Sequence, residues 1–320
     1  MINAPSTPSA TSPSKYSDAV DLPGTIATNT SVEKLWQAVL PHEAIAHPFL
    51  THGLLALSAL HAAATSDESR EESIESAQSH YSQAVRDLQQ AAKSPDQSTC
   101  DAVFAMCHID LVYSFALPLT MESPSNNPID DLCQILTHIQ TSSPTTTAAN
   151  NNNNNNNNSR SKESALSPFH PHAPSAHESQ MPNTSQLAIT ALTRLNNTLS
   201  QQDPSHSTST YTTTIAHLAS SLKTLLCTSS SNSEETTPPL STMQWTYHVP
   251  AEFLPLARQR RPFALVLLAH YAVMLHAMRA SWWVGEWGER VIRQCGLGLG
   301  GELRGALGWV VDATGVVVDD

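Results

Sequence analysis

The stretch from Arg261 to Arg290, RPFALVLLAHYAVMLHAMRASWWVGEWGER, constrains the fold more than any other part of this chain. Its apolar run from Pro262 to Leu275 is interrupted only by His270. A run of this length falls short of the roughly 20 apolar residues that a membrane-spanning helix needs, and it is typical of a helix buried in a protein core. Because His276 and Arg279 follow directly, we predict a buried helix and no membrane span.

A second segment, STCDAVFAMCHIDLVYSFAL at residues 98–117, is apolar on nearly all sides. A helix of this composition is buried on most of its surface. Together with residues 262–284 it predicts a pair of central buried helices. Alternating strand patterns extend over only a few residues, so we expect an all-α fold, an irregular helical bundle.

Amphipathic helices are expected around this pair. VEKLWQAVL predicts a short helix that ends at Pro41, and Pro48 fits the first turn of the next helix. Ser69 and Glu72 have the spacing of a capping box, which predicts a third helix over about 69–93. Its apolar stripe consists of Ile74, Ala77, Tyr81, Ala84, Leu88 and Ala91. Two later helices are indicated by helical spacing at Leu187, Ala191, Arg194 and Leu195, and at Ile215, Leu218, Leu222 and Leu225.

Composition divides the chain into five segments. Proline, serine and threonine dominate the N-terminus, and a run of nine asparagines occupies residues 150–158, which predicts disorder around both. A short apolar patch, IDDLCQILTHI, predicts one further helix between them. The expected segments are a disordered tail (1–29), a first helical part (30–117), a low-complexity insertion (118–184), a second helical part (185–311) and a C-terminal tail (312–320).

The net charge and the cysteines indicate which partners, metal sites and cellular compartments are compatible with this chain. The formal net charge is -12, whereas a protein that wraps nucleic acid needs a basic face, so we expect no direct DNA contact from this chain. Its five cysteines form no Cys-x-x-Cys pair, which argues against a structural zinc site. Scattered cysteines and an N-terminus without an apolar signal region predict the cytosol or the nucleus.

No motif of an enzyme is present. The chain has fifteen histidines but no His-Glu-x-x-His, and it has no Gly-x-Ser-x-Gly element. A dinucleotide-binding turn directly follows a β-strand. No strand pattern precedes the glycine cluster GLGLGGELRG at residues 296–305, so it is not predicted to bind a dinucleotide. We therefore predict no catalytic residues, no metal and no cofactor.

Asp110 stands out because it lies in an otherwise apolar helix. A buried aspartate is costly unless it is paired. Two interpretations remain open, a polar anchor in a pocket or a core residue that bonds to neighbouring backbone.

Bulky apolar residues of the predicted buried helices are the candidates for a ligand pocket. Trp282 and Trp283 cannot both point the same way, and a tryptophan side chain has a large apolar area and an N–H that needs an acceptor. Such residues form either a filled core or an apolar pocket wall. The candidate wall residues are Leu54, Phe104, Met106, Met274, Trp282, Trp283 and Trp287.

Several segments, taken in order, resemble a known family. HPFLTHGLLALSALHAAA, the helix with Ala77, His80, Tyr81 and Ala84, AVFAMCHIDLVYSFA and RPFALVLLAHYAVMLHAMRASWWVGEWGERVI are similar to the regulatory domain of fungal zinc-cluster transcription factors, of the sterol uptake control type. The resemblance covers about residues 31–117 and 240–310. The chain departs from the family in lacking the six-cysteine zinc cluster near its N-terminus, so DNA binding is not carried over.

The resemblance implies an all-α fold, a role in transcriptional control in the nucleus, with the cytoplasm as the alternative, and an apolar pocket for a sterol or other lipid. The partners it implies are regulators or components of the transcription machinery and a second copy of the chain. The competing hypothesis is a helical interaction scaffold with a filled core and no ligand. The volume of any internal cavity separates the two.

Overall fold

The computed structural model describes residues 35–66, 69–93, 97–121, 126–142, 183–228 and 243–318. Within these ranges all regular structure is helical, as the sequence predicted. The α-helices are α1 (Leu40–Ala46), α2 (Pro48–Thr65), α3 (Arg70–Ala91), α4 (Gln97–Thr120), α5 (Pro128–Ser142), α6 (Asn183–Gln202), α7 (Thr208–Thr228), α8 (Phe253–Arg258), α9 (Pro262–Ala277), α10 (Trp287–Leu297), α11 (Gly301–Arg304) and α12 (Gly308–Thr314).

The first helical segment continues through Pro41. A π-helical turn, Leu35–Val39, leads directly into α1, whose first turn contains Pro41. A first-turn proline removes an N–H that has no partner within the helix, so it does not end the segment. The prediction that the helix stops at Pro41 was therefore wrong, whereas Pro48 begins α2 as expected. Thr30 and Glu33 also have the spacing of a capping box, which predicts that this segment begins near residue 30, but both lie outside the described residues.

Helix α3 has the predicted apolar stripe but not the predicted cap. Ala77 and Ala84 are fully buried, and Tyr81 and Leu88 pack against the core. Ser69 precedes the helix with a left-handed backbone, φ 81°, and its side chain makes no capping hydrogen bond. A capping residue normally has an extended backbone, so the capping-box prediction at Ser69 was wrong.

The two apolar helices are buried, as predicted. Helix α4 packs on α2, α3 and α5, and helix α9 packs on α7, α10 and α12. Helix α9 ends at Ala277 rather than near 284, because consecutive tight turns follow and Gly285 adopts a positive φ of 45°. This turn sends α10 back along α9, with which it makes one of the most extensive helix contacts of the fold.

Helix α5 lies inside the predicted insertion of residues 118–184. Its apolar face is fully buried at Ile129, Leu132 and Leu136. It packs on α4, α8 and α10, and thereby joins the first helices of the chain to the last ones. The structured part of the chain thus extends beyond residue 117, and residues 122–125 and 143–182 of the predicted insertion lie outside the described residues.

Helix α6 buries a different face from the one predicted. Ala188, Leu192 and Asn196 face the core, whereas Leu187 is 68% exposed. The buried amide of Asn196 donates to Thr212 Oγ1 on α7 at 3.0 Å and bonds the His206 ring at 2.7 Å. These hydrogen bonds compensate the burial of a polar residue, which apolar spacing alone does not register. The predicted face of α7 is confirmed at Ile215, Leu218 and Leu222.

Part of α4 satisfies the length and hydropathy of a membrane span. The stretch Thr99–Thr120 has a mean hydropathy of 1.6 over its most apolar window, and 56% of that window is buried inside the protein. A core helix has the same composition, and α4 makes core contacts with three other helices. The Pro262–Ala277 helix is shorter than a span requires.

Candidate functional site

The seven predicted pocket residues divide between the hydrophobic core and its partly exposed margin. Met106, Met274, Trp283 and Trp287 are buried in the hydrophobic core, and Leu54 and Trp282 are partly buried against it. Phe104 is also partly exposed. None of the seven lines any of the three cavities described below.

The tryptophans make protein contacts that separate the two neighbours. Trp283 is fully buried with its ring edge-on to Phe115, at 6.3 Å between centroids. Trp282 points elsewhere and packs edge-on against His61 at 5.0 Å. Trp287 Nε1 donates to the Phe115 carbonyl oxygen at 2.9 Å, so this indole is satisfied by α4. Adjacent tryptophans thus diverge, as the sequence predicted, and Trp287 serves as a core link between α10 and α4.

A groove of about 390 Å³ lies between α3, α4 and α5 and is the best candidate for a functional site. This volume falls in the range of small-molecule sites. Its lining combines two aromatic rings with aliphatic and a few polar side chains: Tyr81, Tyr113, Ser114, Leu117, Pro118, Met121, Asp131, Gln134, Ile135 and His138. The Tyr81 and Tyr113 rings are stacked, 4.0 Å apart and within 3° of parallel.

Asp110 sits beside this groove at the centre of a polar cluster. Its Oδ1 atom accepts a hydrogen bond from the Tyr81 hydroxyl and one of 2.9 Å from His138 Nε2. Its Oδ2 atom accepts from Ser142 Oγ at 3.0 Å. The aspartate is therefore satisfied by side chains of α3 and α5 and not by neighbouring backbone. One carboxylate holds three helices together, directly next to the groove.

Hydrogen bonding fixes the tautomer of His138. Tyr81 has one hydroxyl hydrogen, which it donates to Asp110, so its oxygen remains an acceptor 3.0 Å from His138 Nε2. Since Asp110 is also an acceptor, Nε2 of His138 carries a hydrogen. The hydrogen bond to Asp110 raises the pKa of His138 above its usual value, although burial acts in the opposite direction.

The two tyrosines remain neutral phenols. Burial raises the pKa of Tyr113 to about 12, and the negative charge of Asp110 adds to the shift. Burial and the same carboxylate raise the pKa of Tyr81 further. At neutral pH both phenolic hydroxyl groups of the site are therefore uncharged.

The raised pKa of His138 predicts a pH-dependent contribution to stability. A group that binds its proton more tightly when folded stabilises the protein below its unfolded pKa of about 6.5, and this stabilisation is lost as pH rises through the folded pKa. We expect His138→Gln to lower the melting temperature more at pH 5.5 than at pH 8.5. His42→Gln, at a side chain that is 82% exposed, is the control. Equal effects of His138→Gln at both pH values would contradict the assignment.

Two other cavities lack such a cluster. One of about 400 Å³ lies between α5 and the segment from Tyr247 to α8, where Arg258 donates to Thr137 Oγ1 and to the Cys133 carbonyl oxygen. The other, about 160 Å³, is bordered by Asp203, His206 and Tyr211. Of the three cavities, only the groove combines stacked aromatic rings with a buried carboxylate that bonds side chains of its lining.

The sequence indicated only part of this site. Asp110 was singled out as a buried acid, and Tyr81 was placed on the apolar stripe of its helix. His138 was not recognised, because it lies 28 positions from Asp110 on a helix within the predicted insertion. The useful signal was the helical spacing of Asp131, Gln134, Ile135 and His138, which places all four on one face of α5.

The fold and groove define an all-α domain with a site of small-molecule size. Comparison with known families adds one finding: residues 23–118 match the model of the fungal specific transcription factor domain. The match covers less than a third of the 320 residues and contains α1 to α4 almost completely. No curated protein and no solved structure matches the chain.

The match supports the resemblance to fungal transcription factors and a role in transcriptional regulation. Tyr81, Asp110 and Tyr113 lie within the matched residues, whereas α5, which supplies His138, lies after them. This family is regulatory rather than enzymatic. The second resembling region, 240–310, lies outside the match.

Proposed function

We propose that this chain is a regulatory module of transcription in the nucleus, and that its helices respond to an apolar small molecule held in the groove between α3, α4 and α5. The class of ligand is a sterol or another lipid, as the family resemblance implies. The family match supports the transcriptional role. The zinc cluster and direct DNA contact form no part of the proposal.

The observation that carries the proposal is the meeting of three helices at one lined cavity. Leu117, Pro118 and Ile135 provide apolar surface, and the stacked tyrosines provide a flat wall. A ligand in the groove touches α3, α4 and α5 together. It therefore stabilises the arrangement in which Asp110 bonds Tyr81 and His138, and it shifts the population of the protein toward that arrangement.

A second candidate, the interaction scaffold without a ligand, is favoured by a different observation. Two of the residues predicted as a pocket wall are packed closely against protein. Trp287 Nε1 bonds the Phe115 carbonyl oxygen, and a Cβ atom added at Gly53 would lie only 2.8 Å from Met106 Sδ. A scaffold acts through its surface and needs no internal site. The two candidates differ in whether any small apolar molecule stabilises the folded chain.

The test is thermal melting of the full chain with and without ergosterol and other lipids. A ligand at 100 times its dissociation constant stabilises the folded state by about 2.7 kcal/mol, which is readily visible as a rise in melting temperature. We expect the rise to be lost in Ser114→Phe, which fills the groove from α4. Ser79→Phe, at an exposed position of α3, is the control for an added ring. If the chain unfolds cooperatively and no lipid raises its melting temperature, the result would favour the second candidate, an interaction scaffold without a ligand.

A further inference from the structure

Among the described residues, the lining of the groove contains acidic and aromatic side chains and no lysine or arginine. Asp131 lies at the lining itself, and Asp110 bonds two lining residues, Tyr81 and His138. Basic residues would be needed to attract a carboxylate or a phosphate. The lining therefore does not suit an anionic ligand.

Helix α5 separates its two neighbouring aspartates onto different faces. Asp130 accepts from Arg260 Nη1 at 2.8 Å, and the same face meets Arg258 through Thr137 and Cys133. Asp131 is rotated by about 100° from Asp130, as consecutive residues of a helix are, and faces the groove. The arginines near α5 are thus engaged on the face away from the groove lining.

Asp131 brings a carboxylate without a basic partner to the groove. In the described part of the chain it makes no ion pair, and its carboxylate receives no hydrogen bond. Asp110, by contrast, accepts a hydrogen bond of 2.9 Å from His138 Nε2. A ligand in the groove therefore meets one uncompensated carboxylate.

The stacked tyrosines add a second attraction for positive charge. The face of a tyrosine ring carries the negative end of its quadrupole, and an organic cation near such a face is stabilised. Tyr81 and Tyr113 both line the groove, and because they are stacked 4.0 Å apart only the outer face of a ring can meet the ligand. Their hydroxyl groups stay neutral because the pKa of each is raised, so no phenolate contributes.

We infer that the groove selects apolar ligands that carry a positive charge, an organic ammonium with a hydrophobic body, over neutral or anionic molecules of similar size. The inference rests on the proposed function and specifies the ligand class of the same site. The hydrophobic body packs on Leu117, Pro118 and Ile135, and the ammonium lies between the tyrosine rings and Asp131.

The experiment compares three probes of similar body and different charge on the full chain. The probes are benzyltrimethylammonium, benzyl alcohol and phenylacetate, titrated at constant ionic strength and followed by NMR. We expect the ammonium to bind about tenfold more tightly than the alcohol, from one cation–π contact and one partly exposed ion pair. Phenylacetate should bind more weakly than the alcohol.

Two adjacent substitutions provide a matched pair. Asp131→Asn should reduce the affinity for the ammonium by roughly fivefold and leave that for benzyl alcohol unchanged. Asp130→Asn removes the same charge from the neighbouring residue, whose carboxylate is already paired with Arg260. This variant should therefore leave the affinity for the ammonium unchanged. The pair thus separates a local contact from an effect of net charge.

Equal affinities for all three probes, or equal losses in the two variants, would overturn the charge preference. Binding of benzyl alcohol or a sterol that is lost in Ser114→Phe would still support the groove as a ligand site under that result. Failure of every probe and every lipid in the full chain would remove both the charge preference and the proposed function.

Discussion

Replacement of Gly288 by alanine is expected to destabilise the protein by about 3 kcal/mol, because α10 lies too close to α9 at this position to admit a side chain. A Cβ atom on residue 288 would lie 2.4 Å from the backbone nitrogen of His276 and 2.6 Å from its Cα atom. These atoms belong to the backbone of α9 and cannot turn aside as a side chain does. The two helices would have to separate, and a densely packed core transmits that strain.

Gly308→Ala provides the control within the same chain. Gly308 begins α12, and no atom lies within 4 Å of the position of its added Cβ atom. Alanine is the better helix former, so this variant should be neutral or more stable by up to about 1 kcal/mol. Denaturant unfolding gives both free energies. A Gly288→Ala protein within about 0.5 kcal/mol of the parent would show that α9 and α10 are not packed as described.

Trp287→Ala should cost about 3–5 kcal/mol, the range for removal of a large aromatic side chain from a core. The indole is fully buried, it lies edge-on to Phe115 at 5.9 Å, and its N–H bonds the Phe115 carbonyl oxygen. The variant therefore creates a cavity and removes a link between α10 and α4. Trp287→Phe should cost less, since it retains a ring and loses chiefly the hydrogen bond.

The neighbouring Trp282 is the matched comparison. It is only partly buried and packs on His61, so Trp282→Ala should destabilise the protein by clearly less than Trp287→Ala. Unfolding in denaturant and the response to lipids should be measured on the same samples. A Trp287→Ala protein of near-parental stability that no longer responds to lipid would instead make this side chain a pocket wall, as the sequence had suggested.

The all-α class and the buried helices follow from sequence because their signals are local. Helix α9 is apolar on every side, and α3 has a regular apolar stripe, so 3.6-residue periodicity suffices to predict both. The end of α9 at Ala277 was missed, because the turn that follows depends on a positive φ at Gly285 and on the contact of Gly288 with His276. The buried face of α6 was missed because it includes Asn196, whose partners come from another helix.

The candidate site was less accessible to sequence reasoning, since its members come from three helices. Asp110 was recognised as a buried acid, but its partners lie 29 and 28 positions away, at Tyr81 and His138. Size and apolarity selected the seven predicted wall residues, and those properties equally describe a filled core. A cavity is the space that remains between facing helices, so it cannot be predicted from the sequence of any single segment.

The link between Trp287 and Phe115 also bears on how the chain folds. It joins residues 172 positions apart, and the bond from Gln140 to Val249 spans 109. The α2–α3 hairpin, in contrast, forms between consecutive helices. Closing a long loop costs more chain entropy than closing a short one. The hairpin should therefore acquire structure early during folding. The packing of α10 on α4, and of α5 on both, should be a late and rate-limiting step.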